Sequence, residues 1–252
     1  IEDADAVAAL LMRDARAVDY PVDLVSEQAG PAPRHAYLLL DRATPTSGAD
    51  ITRDEVPNSL GFVSIYGRQT DRAPRLELAL DRGEHFQSGL DLLQEICAPE
   101  LGDLSGEKKI GETNAVEQAL SGRWHFPDDV PPARRRELLA EERRTAITER
   151  WPEVPRALLA GKTPRQAAGD PELKIPLAAA VFILEQGSNN LQQTDAIAQL
   201  RAELNIPAPQ PKPCEHAAAR PHVVHIPRMD LEQVSDDDLV QLYRRAMLAN
   251  AA

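Results

Sequence analysis

Aromatic side chains are scarce in this chain of 252 residues: four Phe, four Tyr and two Trp make up only 4% of it. So few flat rings leave little on which bases could stack. Positive charge is in short supply as well. Lys and Arg total 28 against 40 Asp and Glu, and a formal net charge of -12 repels a nucleic-acid duplex and an anionic membrane alike. The longest basic cluster, Arg134-Arg135-Arg136, is followed at once by acids. Nucleic acid is not the expected partner.

Cysteine is nearly absent too. Cys97 and Cys214 are too few for a disulfide scaffold and fit a reducing, cytoplasmic compartment. No apolar run approaches the roughly 20 residues that cross a bilayer. The apolar AVAALLM near the start is flanked by acids, unlike a signal peptide, so no membrane association is expected. The chain opens on Ile1 with no initiator methionine, and further residues upstream are expected. No internal repeat and no G-x-S-x-G nucleophile signature is present.

Hydrophobic residues at 42% and charged residues at 27% are ordinary globular usage, so most of the chain is expected to fold, with 21 prolines punctuating it. From Asp3 to Val18, Val7, Leu10, Leu11 and Ala15 line one face of an amphipathic helix. HAYLLLD (35–41) reads as a buried strand. GFVSIYG (61–67) and RLELALD (75–81) alternate as an antiparallel hairpin joined by RQTDRAP. A helix follows over GEHFQSGLDLLQEIC, with Phe86, Leu90, Leu93, Ile96 and Cys97 on its apolar stripe.

Pro, Gly, Ser and charge then dominate residues 99–114, the expected module boundary. Beyond it lie a short helix ending near Gly122 and a longer one that starts at prolines and carries Leu138, Leu139, Ala146 and Ile147 inward. LKIPLAAAVFILEQG, the most apolar run, is expected to be a buried central helix with Pro176 in its first turn. TDAIAQLRAELNI forms another helix, capped by Thr194 or Asp195. Residues 207–221 read as a proline-rich arm, HVVHIPRM as an edge strand, and SDDDLVQLYRRAML as a helix capped by Ser235. The fold class is α+β, in three pieces: an α+β module over 1–104 with a small antiparallel sheet, a helical module over 105–206, and an arm, strand and helix over 207–252.

Chemistry-bearing motifs are few. LLAGKTPRQAA invites comparison with a phosphate loop, yet Arg156 stands where the first glycine belongs and Pro164 removes an amide. A corner between helices accounts for more: Gly161 takes a left-handed C-cap, Thr163 caps the next helix, and Pro164 occupies its first position. Cys214, His216, His222 and His225 form the densest set of metal donors and would suit zinc, but their C-x-H-x5-H-x2-H spacing matches no common finger or knuckle. A solvated arm and half-buried strand is the plainer expectation. His35, His85 and His125 are isolated, and Cys97 sits on an apolar stripe where an inert thiol is expected. Asp128-Asp129 and Asp236-Asp237-Asp238 suit capping and solvation. The ARRRELLAEERRTAITER helix places acids three to five residues from its arginines, a solvated face more than an anion site.

Trp151, Pro155, Leu158, Gly161, Lys162, Thr163, Pro164, Arg165, Ala167, Ala168, Asp170 and Pro171 fill the pattern W-x3-P-x2-L-x2-G-K-T-P-R-x-A-A-x-D-P. It resembles a segment of bacterial proteins that carry a SEC-C metal-binding motif. Its shorter form, Trp, Pro and then Gly-Lys-Thr-Pro, is similar to the C-terminal toxin-binding region of Xre/ParS-type antitoxins. RLELALDRGEHFQSGLDLLQEIC resembles in outline the strand and helix that precede this segment in the SEC-C-associated proteins. The C-x-C pair of the SEC-C motif itself does not occur. The resemblance implies a helical corner used for protein contact, and no catalytic residue. The expected function is a non-enzymatic interaction or accessory module of a bacterial cytoplasmic protein, with another protein as partner. Alternatives are a zinc-binding protein using the Cys/His set and an enzyme whose site converges from distant residues.

Overall fold

The computed structural model describes residues 1–22, 32–70, 72–187, 193–208, 210, 229 and 234–250. It is an α+β protein with a four-stranded antiparallel sheet in the order β1-β2-β3-β4. The strands are β1 (Ala17–Asp19), β2 (His35–Leu40), β3 (Ser59–Tyr66) and β4 (Arg75–Ala79). The expected strand at 35–41 and the hairpin after it are both present, β3 and β4 pairing from Phe62 with Ala79 to Tyr66 with Arg75.

The opening helix is shorter than its apolar spacing predicts. Helix α1 covers Ala4–Arg13, capped by Asp3, whose carboxylate accepts the amides of Asp5 at 2.8 Å and Ala6 at 3.3 Å. It stops well before Val18 because Asp14 accepts the Arg16 amide at 2.8 Å and turns the chain into β1, which pairs with β2. Local helix periodicity loses there to strand pairing.

Helix α2 (Phe86–Cys97) and α1 pack on the sheet, enclosing Val7, Leu11, Tyr37, Leu39, Val63, Ile65, Leu93 and Cys97. Tyr37 lies in this core and donates its hydroxyl to the Ala8 carbonyl at 3.3 Å. Between Leu39 and Leu40 the register shifts, so Leu60 is an extra residue in β3 and reaches the same core as Val63 and Ile65. Gly61 beside it is required by close approach: a Cβ there would stand 2.2 Å from Leu80 Cδ2 and 2.8 Å from the Ala79 carbonyl. Burial pushes the Cys97 thiol up to about 11, with the Asp14 charge adding to the effect, so it remains protonated.

By its contacts the chain forms two compact units, one built on Ile1–Pro155 and one beginning at Arg156. The residues of 101–114 run as irregular backbone inside the first unit. After them come α3 (Ala115–Leu120), with an Asn114–Glu117 capping box, and α4 (Pro132–Thr145). Helix α3 ends at Ser121 in extended conformation rather than at a left-handed Gly122, whose φ is not positive. A second cluster gathers Ile51, Val56, Val130 and Leu138 against Trp124 and Phe126.

Helix α4 does not end cleanly. It widens into a π turn, Ala146–Arg150, and then tightens into a 3-10 turn, Trp151–Glu153. Leu138, Ala146 and Ile147 face inward as expected, whereas Leu139 is exposed and the acid Glu142 is buried in place of an apolar residue. Two arginines hold that acid: Arg150 Nη1 donates to Oε1 at 2.6 Å and Arg53 Nη2 to Oε2 at 3.1 Å. Arg150 Nε also donates to the Ala119 carbonyl of α3 at 2.9 Å.

The second unit contains α5 (Pro164–Ala167), α6 (Lys174–Gly187), α7 (Thr194–Glu203) and α8 (Asp236–Asn250). Helix α6 packs against α5, α7 and the turn at Ala157–Leu159. Arg201 of α7 grips Glu185 of α6 with both arms of its fork, at 2.7 and 3.2 Å, and donates to the Pro207 carbonyl at 3.2 Å. Ser235 caps α8, accepting the Asp238 amide at 3.3 Å, as the sequence predicts.

Candidate functional site

The Trp151 to Pro171 stretch is a corner of successive tight turns. Trp151 belongs to the first unit, where it is 1% exposed and its turn packs on α3. Pro155 is exposed and ends that unit. In the second unit, Ala157–Leu159 forms a single 3-10 turn in which Leu158 is half exposed, and the fully buried residue is its neighbour Leu159. Ala160 and Gly161 are then both left-handed, at φ of 53° and 81°.

Amide accounting decides what the Gly-Lys-Thr can do. Gly161 donates to the Arg156 carbonyl at 2.9 Å, Lys162 to Leu159 at 3.0 Å, and Thr163 to the Gln166 side chain at 3.1 Å. A phosphate cradle needs those amides turned outward and free, and here the protein takes all three. Lys162 is engaged as well, its Nζ 2.9 Å from Asp170 Oδ2. This pair, with the Glu172 amide on the same carboxylate, holds Asp170 below its ordinary value. Arg165 reaches toward Glu203 at 3.9 Å.

Thr163 and Pro164 start α5 in the predicted way: Thr163 Oγ1 accepts the Gln166 amide at 3.2 Å, both residues are buried, and Pro164 stands at the first position. Thr163→Ala is expected to cost about 1 kcal/mol by removing this cap, and Thr163→Ser to retain most of the stability. Gly161→Ala is expected to cost about 1 to 2 kcal/mol from left-handed backbone alone, since nothing lies within 4 Å of the added Cβ. Urea unfolding followed by circular dichroism checks both.

Helix α6 differs from the buried central helix its composition predicts. Leu177, Val181 and Leu184 are buried, but Ile175 is 82% and Ile183 65% exposed, with exposed Ala179 between them at four-residue steps. These three share one helix face. Its sequence is apolar nearly all round, a pattern that reads as full burial, and no local signal marks which face lacks a neighbour. Helix α8 repeats the arrangement. Leu242 is buried, while Val240, Tyr243, Met247 and Leu248 are exposed along an adjoining stripe.

Other candidates have structural work. Asp129 accepts the Gly48 amide at 2.9 Å, and the acids of Asp236–Asp238 open α8. His35 meets Asp5 at 3.4 Å and His85 meets Glu84 at 3.0 Å. Burial lowers His125, with the Arg135 charge assisting and Asp128 opposing. Cys214, His216, His222 and His225 lie outside the described residues, as does the HVVHIPR part of the predicted edge strand. Among the described residues no group of three or more His, Cys, Asp or Glu is placed to hold a metal. No described helix is long and apolar enough to cross a membrane.

No protein-family model matches this chain, and no curated protein or solved structure is significantly similar to it.

Proposed function

We propose that this chain is a non-enzymatic interaction module of a bacterial cytoplasmic protein, and that its second unit docks another protein through the outer face of α6. The observation that carries this reading is the Ile175–Ala179–Ile183 stripe, two large aliphatic side chains left in water on a helix whose opposite face is fully packed. Exposed single apolar residues are common, but an ordered stripe on a rigid helix fits helix-in-groove or helix-on-helix recognition. The α8 stripe adds a second apolar surface to the same unit. The corner's role is then to seat α6: Thr163, Pro164 and Ala167 are buried while Gly161 lets the chain reverse. The likeness of Trp151–Pro171 to a toxin-binding antitoxin region points the same way.

A photo-crosslinking side chain placed at Ala179 in the cells of origin tests the proposal. A discrete heavier product containing a second protein is expected, lost in Ile175→Glu/Ile183→Glu with unchanged helix content. A product unaffected by that double substitution, or none at all, contradicts docking through α6.

A further inference from the structure

Within the first unit, a cleft of about 320 Å³ opens beside the π turn, lined among others by His85, Gln118, Arg123, Glu142 and Arg150. We propose that it binds one small oxyanion, the phosphate or carboxylate group of a metabolite, with Arg150 as its principal contact. This site is independent of the α6 surface.

Charge is unbalanced in the ion cluster around Glu142. Glu142 is a single carboxylate, 10% exposed, between the guanidinium groups of Arg53 and Arg150, so the cluster carries one excess positive charge. Of the other charges lining the cleft, Arg123 is paired with Asp81 at 2.9 Å, and Glu84, beside His85, is 85% exposed and screened by solvent.

Arg150 also has unused capacity. Its Nη1 and Nε are taken by Glu142 and Ala119, whereas Nη2 is buried with no acceptor among the described residues. A guanidinium nitrogen left this way loses its hydration without a replacement hydrogen bond. The side chain as a whole is 38% exposed and lines the cleft, so a reorientation that turns this nitrogen toward the cleft delivers it to an oxygen there. The planar fork then keeps Glu142 on one arm and takes the anion on the other. The Gln118 amide group supplies a neutral donor from α3.

The π turn explains why this arginine is available. An α-helical path through Ala146–Arg150 would place residue 150 elsewhere on the helix, and π turns recur where a functional side chain must be redirected. At about 320 Å³ the cleft is at the small end of ligand sites, which fits a metabolite-sized anion and no polymer.

Calorimetric titration of the full chain at low ionic strength, with inorganic phosphate in one arm and succinate in the other, tests the site against a chloride control. Saturable one-to-one binding with a Kd of about 1 mM or tighter is expected in at least one arm, and the tighter arm identifies the source of the oxyanion. Arg150→Lys, which retains the charge beside Glu142 but removes the fork, is expected to weaken binding about tenfold or more. Gln118→Leu, a half-buried change away from the ion cluster, is expected to weaken it several-fold with the thermal midpoint preserved. No saturable binding in either arm, or binding that both variants leave intact, overturns the proposal.

Discussion

Trp151→Ala is expected to destabilise the first unit by about 3 to 5 kcal/mol, the range for deleting a large buried aromatic side chain. Trp151 is 1% exposed and follows directly on the π turn, where its 3-10 turn packs on α3. The chain cannot easily collapse around the lost ring. Pro152 restricts the backbone immediately after it, and Arg150 immediately before it is tied to both Glu142 and Ala119. Urea unfolding followed by far-ultraviolet circular dichroism measures the loss, and Trp151→Phe should recover a substantial part. A loss below about 1 kcal/mol would mean that the indole fills no essential space.

Arg150→Met is expected to cost about 2 to 4 kcal/mol, somewhat less than the loss of a fully buried partner, because Arg53 remains on Glu142 and Arg150 is itself partly exposed. The larger part of that figure is the penalty of leaving Glu142 nine-tenths buried with one cation and the Ala119 carbonyl without its donor. If so, the charge left behind is the problem, and removing it should help. The double variant Glu142→Leu/Arg150→Met is therefore expected to be less destabilised than the sum of the two single changes by about 1 kcal/mol or more. Additive losses would show that the two side chains contribute separately.

Much of the fold was legible because local chemistry and tertiary structure agree. Alternation in RLELALD, the Asn114–Glu117 box and the Thr163-Pro164 start are short-range signals, and β4, α3 and α5 follow them. Where the two disagreed, partners distant in sequence decided. Val18 continues a helical stripe, yet strand pairing with Leu38 claims it. Leu139 is the apolar candidate, but Glu142, four residues from both Leu138 and Ala146, goes inside, where Arg53 from far back in the chain meets it. No spacing rule reports a charge partner 89 residues away.

The candidate surfaces were only half legible. Thr163 and Pro164 start α5 as the sequence indicates, while the left-handed cap expected at Gly161 falls on Ala160, and Gly161 follows it as a second left-handed residue. The buried leucine of the corner is Leu159 rather than Leu158, because the intervening segment is one 3-10 turn instead of a regular helix end. On α6, Ile175 and Ile183 are as apolar as Leu177 and Val181, and only the placement of α5, α7 and the preceding turns separates the packed face from the open one. The polar cleft had no local signature at all, as its residues come from the turn before α2, from α3 and the segment after it, from α4 and from the π turn.

Chemical labelling of a single cysteine on α6 tests docking most directly. With Cys214 replaced by serine, Ile183→Cys becomes the only exposed thiol, since Cys97 is fully buried. Docking through this face predicts rapid modification in the purified chain and a rate about tenfold lower in the cells of origin, the drop expected when nine-tenths of the chain is partner-bound. Equal rates in the two settings, normalised to a free thiol reporter, would contradict it.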